Sequence, residues 1–238
     1  MGVMILRPGQ RLIAPHVRIV QPSMAAAAAS GWWLSGGISA ANCAAAYAAK
    51  GAASLAASYI NLNNPGTNNA APGVAPTFAG ATGWTFNGST QYLTTGINPG
   101  NNYSAIIRFS SFSTPGSANA VALGSAISAS PNTGLTLGKT VSTGTLRFRN
   151  GDTAYVDAST ATSGVMAAAG ANAYLNGSLV NSGLGGSGSN AFPIYIAANS
   201  NSGSVSNFST IVIVALAIYN TTLSGSQVAA LTTAINAL

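Results

Sequence analysis

The stretch that decides the fold is Ser209–Leu231, "STIVIVALAIYNTTLSGSQVAAL". Its unbroken apolar part, Ile211–Ile218, is eight residues long. A helix that spans a bilayer needs about 20 such residues, and Asn220, Thr221 and Thr222 follow closely. No membrane span is expected here. Ile and Val are β-branched and favour strands. A run of them without polar alternation predicts a strand buried on both faces. Then the period changes. Ser224 precedes Gln227 in the Ser-x-x-Gln spacing of a capping box, and Val228, Leu231 and Ile235 recur at helical spacing. The reading is a buried strand, a turn and a short amphipathic helix packed on a β-structure.

Upstream, the pattern is one of short strands between Gly, Asn and Ser turns. "WTFNGSTQYLTT" predicts a hairpin turning at Asn87-Gly88, and "GANAYLNGSLVNSG", residues 170–183, predicts another turning at Asn176-Gly177. Further strands are expected at 103–112, 120–126, 134–139, 144–151 and 192–199. Before them, a short strand near Cys43–Tyr47 and a helical turn near Ala52–Ser58 lead into "NNPGTNNAAPGVAP". That segment reads as a loop because of Pro65-Gly66 and Pro72-Gly73. Repeated short strands of this kind predict an all-β, antiparallel sandwich.

The first 30 residues differ. Arg7, Arg11, Arg18 and the prolines Pro8, Pro15 and Pro22 interrupt the apolar residues, so the segment does not read as a secretory signal. It is expected to be an extended arm, residues 1–30, preceding a sandwich of residues 31–238. The arm residues expected to dock on a neighbouring subunit are Ile5, Leu6, Arg7, Arg11, Leu12, Ile13, Val17, Arg18, Ile19 and Val20. Such burial is worth about 25 cal/mol per Å² of apolar surface.

Three of the quoted motifs together resemble the concanavalin A-like, laminin G-like jelly roll. "WTFNGSTQYLTT" is similar to the family's early hairpin and "AYLNGSLVNSG" to its Tyr-hydrophobic-Asn-Gly hairpin. "IYIAANSNSGSVSNFSTIVIVALAIYNTTLSGSQVAAL" is similar to its closing strand and helix. The resemblance covers residues 40–238 and implies a jelly-roll sandwich. It does not fix function, because this fold hosts lectins, glycosidases, adhesion modules and virion proteins. The sequence departs from the family where a closing-strand acid is usual; here the strand reads "IVIVALAIYN".

Composition narrows the chemistry. Charged residues are 4% of the chain, against about 25% in ordinary soluble domains. The only acids are Asp152 and Asp157. A glycosidase needs a pair of carboxyl groups, and five residues apart on a strand-like segment these two point to opposite faces. No catalytic residue is expected. Calcium takes about six to eight oxygens, usually several of them carboxylates, so no metal site or cofactor is expected either. His16 lies in the arm, and Cys43, among alanines, reads as a small buried hydrophobe. The net charge of +6 comes from scattered cations and missing acids. Nucleic-acid binding needs a dense basic patch, so neither nucleic acid nor membrane is an expected partner.

Two functional readings follow. The first is a non-enzymatic virion structural protein, a bacteriophage capsid-decoration, fibre or tail component. Its partners are copies of itself and other virion proteins, and its place is the virion. The support is the arm, the jelly roll and a nearly uncharged surface suited to repeated packing. The second is an extracellular carbohydrate-binding or adhesion module, or a surface-fibre subunit, that meets host-surface glycans. Amides and hydroxyls match sugar hydroxyls as donors and acceptors. The candidates for glycan contact are Trp32, Trp33, Trp84, Tyr155 and Tyr195, although aromatic residues such as these more commonly serve as core or interface anchors.

Overall fold

A computed structural model describes residues 31–116, 118–127, 133–151 and 155–238. The arm of residues 1–30, with His16 and every docking residue named above, lies outside the described residues, as does Asp152. The opening stretch folds as read. Thr210–Tyr219 is a strand and Gly225–Asn236 a helix. Ser224 Oγ accepts from the Gln227 N–H at 3.3 Å, and Gln227 Oε1 accepts from the Ser224 N–H at 2.9 Å, which closes the capping box. No helix among the described residues is long and apolar enough to cross a membrane.

The closing strand lies inside an eight-stranded sheet. Ser104–Ser113 pairs along one edge of it. Its other edge is shared by Gly83–Asn87, against Thr210–Ile213, and Cys43–Ala48, against Ala215–Tyr219. Beyond Gly83–Asn87 comes Thr77–Ala79; beyond Ser104–Ser113 come Gly164–Ala169, Asn172–Leu175 and Ser178–Asn181. From Ile211 to Ile218 only Val212 is not fully buried, which explains the unbroken apolar run. One face carries Ile211, Ile213, Leu216 and Ile218 into the core between the sheets, with Trp84, Phe109 and Phe148. The step from Ile213 to Leu216 keeps this face because the register shifts between Ile213 and Ala215. The other face packs Val214, Ala217 and Tyr219 against Val228, Leu231 and Ile235 of the C-terminal helix, together with Trp32 and Trp33.

The second sheet has nine strands. Along it run Val156–Asp157, Leu146–Gly151, Gly134–Lys139, Ala120–Ala126, Tyr195–Ile196, Tyr92–Thr94 and Ala71–Val74. Asn199–Asn201 lies parallel to Ala120–Ala126 and pairs with Ser204–Ser206. Among the described residues all other pairings between these strands are antiparallel. The architecture is the two-sheet antiparallel sandwich expected of the jelly roll.

Several local expectations are corrected. Asn87-Gly88 does not turn a hairpin, because Gly83–Asn87 and Tyr92–Thr94 belong to different sheets. Both edges of Gly83–Asn87 are already taken, by Thr77–Ala79 and by the closing strand. The chain instead crosses between sheets in a tight loop. There Asn87 Oδ1 accepts the N–H groups of Ser89 (3.0 Å) and Thr90 (3.1 Å). The other turn is a hairpin: Asn176 and Gly177 take φ of 51° and 81° between paired Leu175 and Ser178. Ala71–Val74, inside the expected loop, is an edge strand, a position that tolerates Pro72. The 192–199 segment contributes only Tyr195–Ile196 and the start of Asn199–Asn201. Gly164–Ala169, "GVMAAA", has little strand propensity, yet pairs on both edges.

Amides replace ions as the internal fasteners. Cys43–Ala48 has one edge without a strand partner among the described residues, and Asn61 covers it. Its Oδ1 accepts from the Ala46 N–H at 3.0 Å and its Nδ2 donates to the Ala44 carbonyl at 3.1 Å. Asn63 donates to the Cys43 carbonyl at 2.7 Å and accepts from Trp33 Nε1 at 3.1 Å.

Candidate functional site

Pairing across the nine-stranded sheet sorts its side chains into rows. One row is Leu93, Ile196, Leu123, Leu137, Phe148 and Val156, and it faces the core. Side chains alternate along a strand, so the neighbouring rows face outward. Thr94, Tyr195, Gly124, Thr136 and Arg149 form one outer row. Val121, Gly138, Arg147 and Asp157 form the next.

On this outer face lies a cavity of about 150 Å³ lined by Asn119, Val121, Thr136, Gly138, Arg147, Tyr155 and Asn207. Thr136 is fully buried, and its Oγ1 has no protein partner among the described residues. A buried hydroxyl without a partner is costly, so it is open to a partner from the cavity, an ordered water or a ligand group. Asn119 Oδ1 accepts from the Val141 N–H at 2.9 Å, so its NH₂ donors are what it offers a ligand. Arg147 Nε donates to Asp157 Oδ1 at 3.1 Å, a cross-strand ion pair. The Arg147 and Arg149 guanidinium carbons stand 4.7 and 5.3 Å from the Tyr155 ring centroid. These contacts fix Tyr155 against the arginines. Gly124 sits between cavity and sheet edge. A Cβ there would meet Val121 Cγ1 at 2.6 Å and Asn199 Oδ1 at 2.8 Å, so any larger residue would displace those side chains. Asn199 Oδ1 is a second buried acceptor without a protein partner.

Beside the cavity is an aromatic group. Tyr92 lies 5.1 Å from Tyr195 and 6.1 Å from Phe208, ring centroid to ring centroid, and all three rings are half-buried. Val74, exposed, pairs with Tyr92.

The glycan candidates are thereby divided. Trp32, Trp33 and Trp84 are only 3%, 9% and 0% exposed, so no ring face is available for stacking. Trp84 donates from Nε1 to Ser58 Oγ at 2.7 Å and sits between Tyr47 and Tyr59. Trp32 and Trp33 anchor the layer beneath the C-terminal helix. Tyr155 and Tyr195 are on the outer face, one in the cavity and the other in the aromatic group. Thr136, Asn119, Asn207, Tyr92 and Phe208 were not among the sequence candidates. Strand parity around the core residue Leu137 assigns Thr136 to the outer face; nothing local in the sequence singles out Asn119 or Asn207. Among the described residues no three of His, Cys, Asp and Glu come together. Burial pushes the Cys43 thiol up to about 12, partly offset by the Ala45 backbone N–H.

No protein-family model matches the chain, and no curated protein matches it. Solved structures do. A mutant of Trypanosoma rangeli sialidase displaying trans-sialidase activity matches with a TM-score of 0.58 and 14% identity, over 83% of this chain and 34% of that one. The likeness is one of fold. Trypanosoma rangeli sialidase in complex with sialic acid gives 0.56 and 13% identity, over 79% and 32%. The Ruminococcus gnavus IT-sialidase CBM40 gives 0.39 and 16% identity, over 55% and 82%, a score too low to support any inference. The chain spans about a third of the length of the Trypanosoma sialidases it matches.

Proposed function

We propose that this chain is a non-enzymatic carbohydrate-binding module that holds its ligand on the outer face of the nine-stranded sheet. The observation that carries the reading is the unpartnered Thr136 hydroxyl in a cavity rimmed by amides, a guanidinium and a phenol. Those groups supply the donors and acceptors that sugar hydroxyls use, and the tyrosine ring supplies an apolar face. The sandwich's likeness in fold to part of a sialidase that binds sialic acid supports the same class. Asp157, the one described acid, is held by Arg147 and has no second carboxyl beside it among the described residues, which supports binding without hydrolysis. The virion reading rests on the arm, the jelly roll and the uncharged composition; the arm lies outside the described residues, and a jelly roll is common to virion proteins and carbohydrate-binding modules alike.

The test is a glycan array followed by titration calorimetry on the wild type and Thr136→Val. Valine keeps the shape and removes the hydroxyl. The expected result is glycan binding by the wild type and at least tenfold weaker binding by the variant. Its melting temperature should be equal or higher, because a buried group without a partner has gone. No binding on the array, or equal binding by the variant, overturns the reading.

A further inference from the structure

Asn207 and Phe208 are adjacent in sequence but serve different parts of the outer face. Asn207 lines the polar cavity, while Phe208 joins the aromatic group of Tyr92 and Tyr195. The chain is fixed at this junction. The Asn207 carbonyl accepts from the Val121 N–H at 2.9 Å, and Asn207 takes a left-handed φ of 52°, a conformation asparagine tolerates better than most residues. The two environments are therefore held side by side.

Their sizes and chemistry differ. A cavity of about 150 Å³ is the size of one that takes benzene, so it has room for no more than one sugar unit, entered in part. The aromatic group offers the exposed parts of three half-buried rings rather than a set of hydrogen-bonding amides. Thr136 and Tyr195 lie two strands apart in the same outer row, with Gly124 between them. That places them about 10 Å apart across the sheet. One sugar ring in the cavity leaves the aromatic group uncovered.

We propose, resting on the carbohydrate reading above, that the site consists of two adjoining subsites and takes a glycan of at least two sugar units. The first ring enters the cavity through its hydroxyl or amide groups, toward Thr136, Asn119 and Arg147. The next ring lies against Phe208, Tyr92 and Tyr195. The site thus recognises a glycan chain, and Asn207–Phe208 is the divider between the subsites.

Calorimetry on the full chain tests this with matched probes: N-acetylglucosamine and chitobiose, galactose and lactose, N-acetylneuraminic acid and 3′-sialyllactose. In the series that binds, the two-unit or longer probe should bind at least tenfold more tightly than its monosaccharide. Phe208→Ala should remove that gain and leave the monosaccharide affinity unchanged, whereas Thr136→Val should weaken both probes alike. Phe208→Leu, which keeps an apolar side chain in the packing, should behave as Phe208→Ala does and covers the case in which alanine unfolds the loop. Equal affinity for the two probe lengths, or a Phe208 variant that weakens the monosaccharide as much as the longer probe, overturns the two-subsite arrangement while leaving carbohydrate binding intact. Absence of binding to every probe and to the array overturns both.

Discussion

Tyr219 donates its phenol hydrogen to the Trp33 carbonyl at 2.8 Å, in the buried layer under the C-terminal helix and across 186 residues of sequence. The bond ties the short turn Trp32–Leu34 to the end of the closing strand. Tyr219→Phe removes the donor, changes almost no volume and leaves the carbonyl buried. A loss of about 1–3 kcal/mol is expected, the cost of an unsatisfied buried group. Urea unfolding should show a lower midpoint at unchanged slope.

Ser224→Ala removes the side-chain half of the capping box that starts the helix Gly225–Asn236. The expected cost is about 1 kcal/mol. Because Val228, Leu231 and Ile235 still have their buried sites, the helix should remain docked. A lower melting temperature with unchanged near-ultraviolet circular dichroism would confirm it.

Asn61→Ala should be far more damaging. Besides Ala46 and Ala44, the Asn61 side chain bonds the Asn63 N–H at 3.0 Å and the Thr67 carbonyl at 2.9 Å. The variant strips four backbone groups of a partner and uncovers the edge of Cys43–Ala48. A loss of about 3 kcal/mol or more is expected, with concentration-dependent aggregation from the opened edge. Denaturant titration and light scattering read the two effects separately.

The pH dependence should be one-sided. Burial raises the Cys43 thiol from 9.0 to about 12, and burial, then the neighbouring Cys43, raises the Tyr47 and Tyr219 phenols above their ordinary 10.0. Well below pH 9 these groups are neutral in both folded and unfolded chains and add no slope. Above it, the unfolded chain loses protons that the folded chain keeps, so stability falls. The fall approaches about 1.4 kcal/mol per pH unit for each such group. On the acid side few side chains can take up protons, two aspartates and His16, so the usual driver of acid unfolding is weak. Unfolding free energies between pH 3 and pH 11 should be nearly level to pH 9 and then drop. A thiol reagent at pH 8 should label Cys43 only in denaturant.

The strand at Ile211–Ile218 and the cap at Ser224 were legible because each rests on a local rule: β-branched run length in one case, side-chain-to-backbone reach in the other. Asn176-Gly177 was legible for the same reason, since a two-residue turn needs positive φ at both positions. Asn87-Gly88 carries the same dipeptide and misled. The turn chemistry was compatible with a hairpin, but the edges of Gly83–Asn87 were already occupied, one by the preceding strand Thr77–Ala79 and the other by the closing strand far along the chain. "GVMAAA" was missed because its strand pairing comes from neighbours on both sides rather than from propensity.

The candidate site was less legible. Tyr155 and Tyr195 could be named as aromatic residues near polar segments, but the same reasoning named three tryptophans that the core and the helix layer bury. By itself the sequence determined the strand-to-helix close and the reliance on amides and hydroxyls, because these depend on residue type and local spacing. Only the tertiary structure decided which side chains share the outer face of the nine-stranded sheet. Asn119, Thr136 and Arg147 meet there through the register of three consecutive strands. Asn207 joins them from far along the chain through one left-handed turn. Register and long-range contact are set by the whole sheet rather than by local residue type.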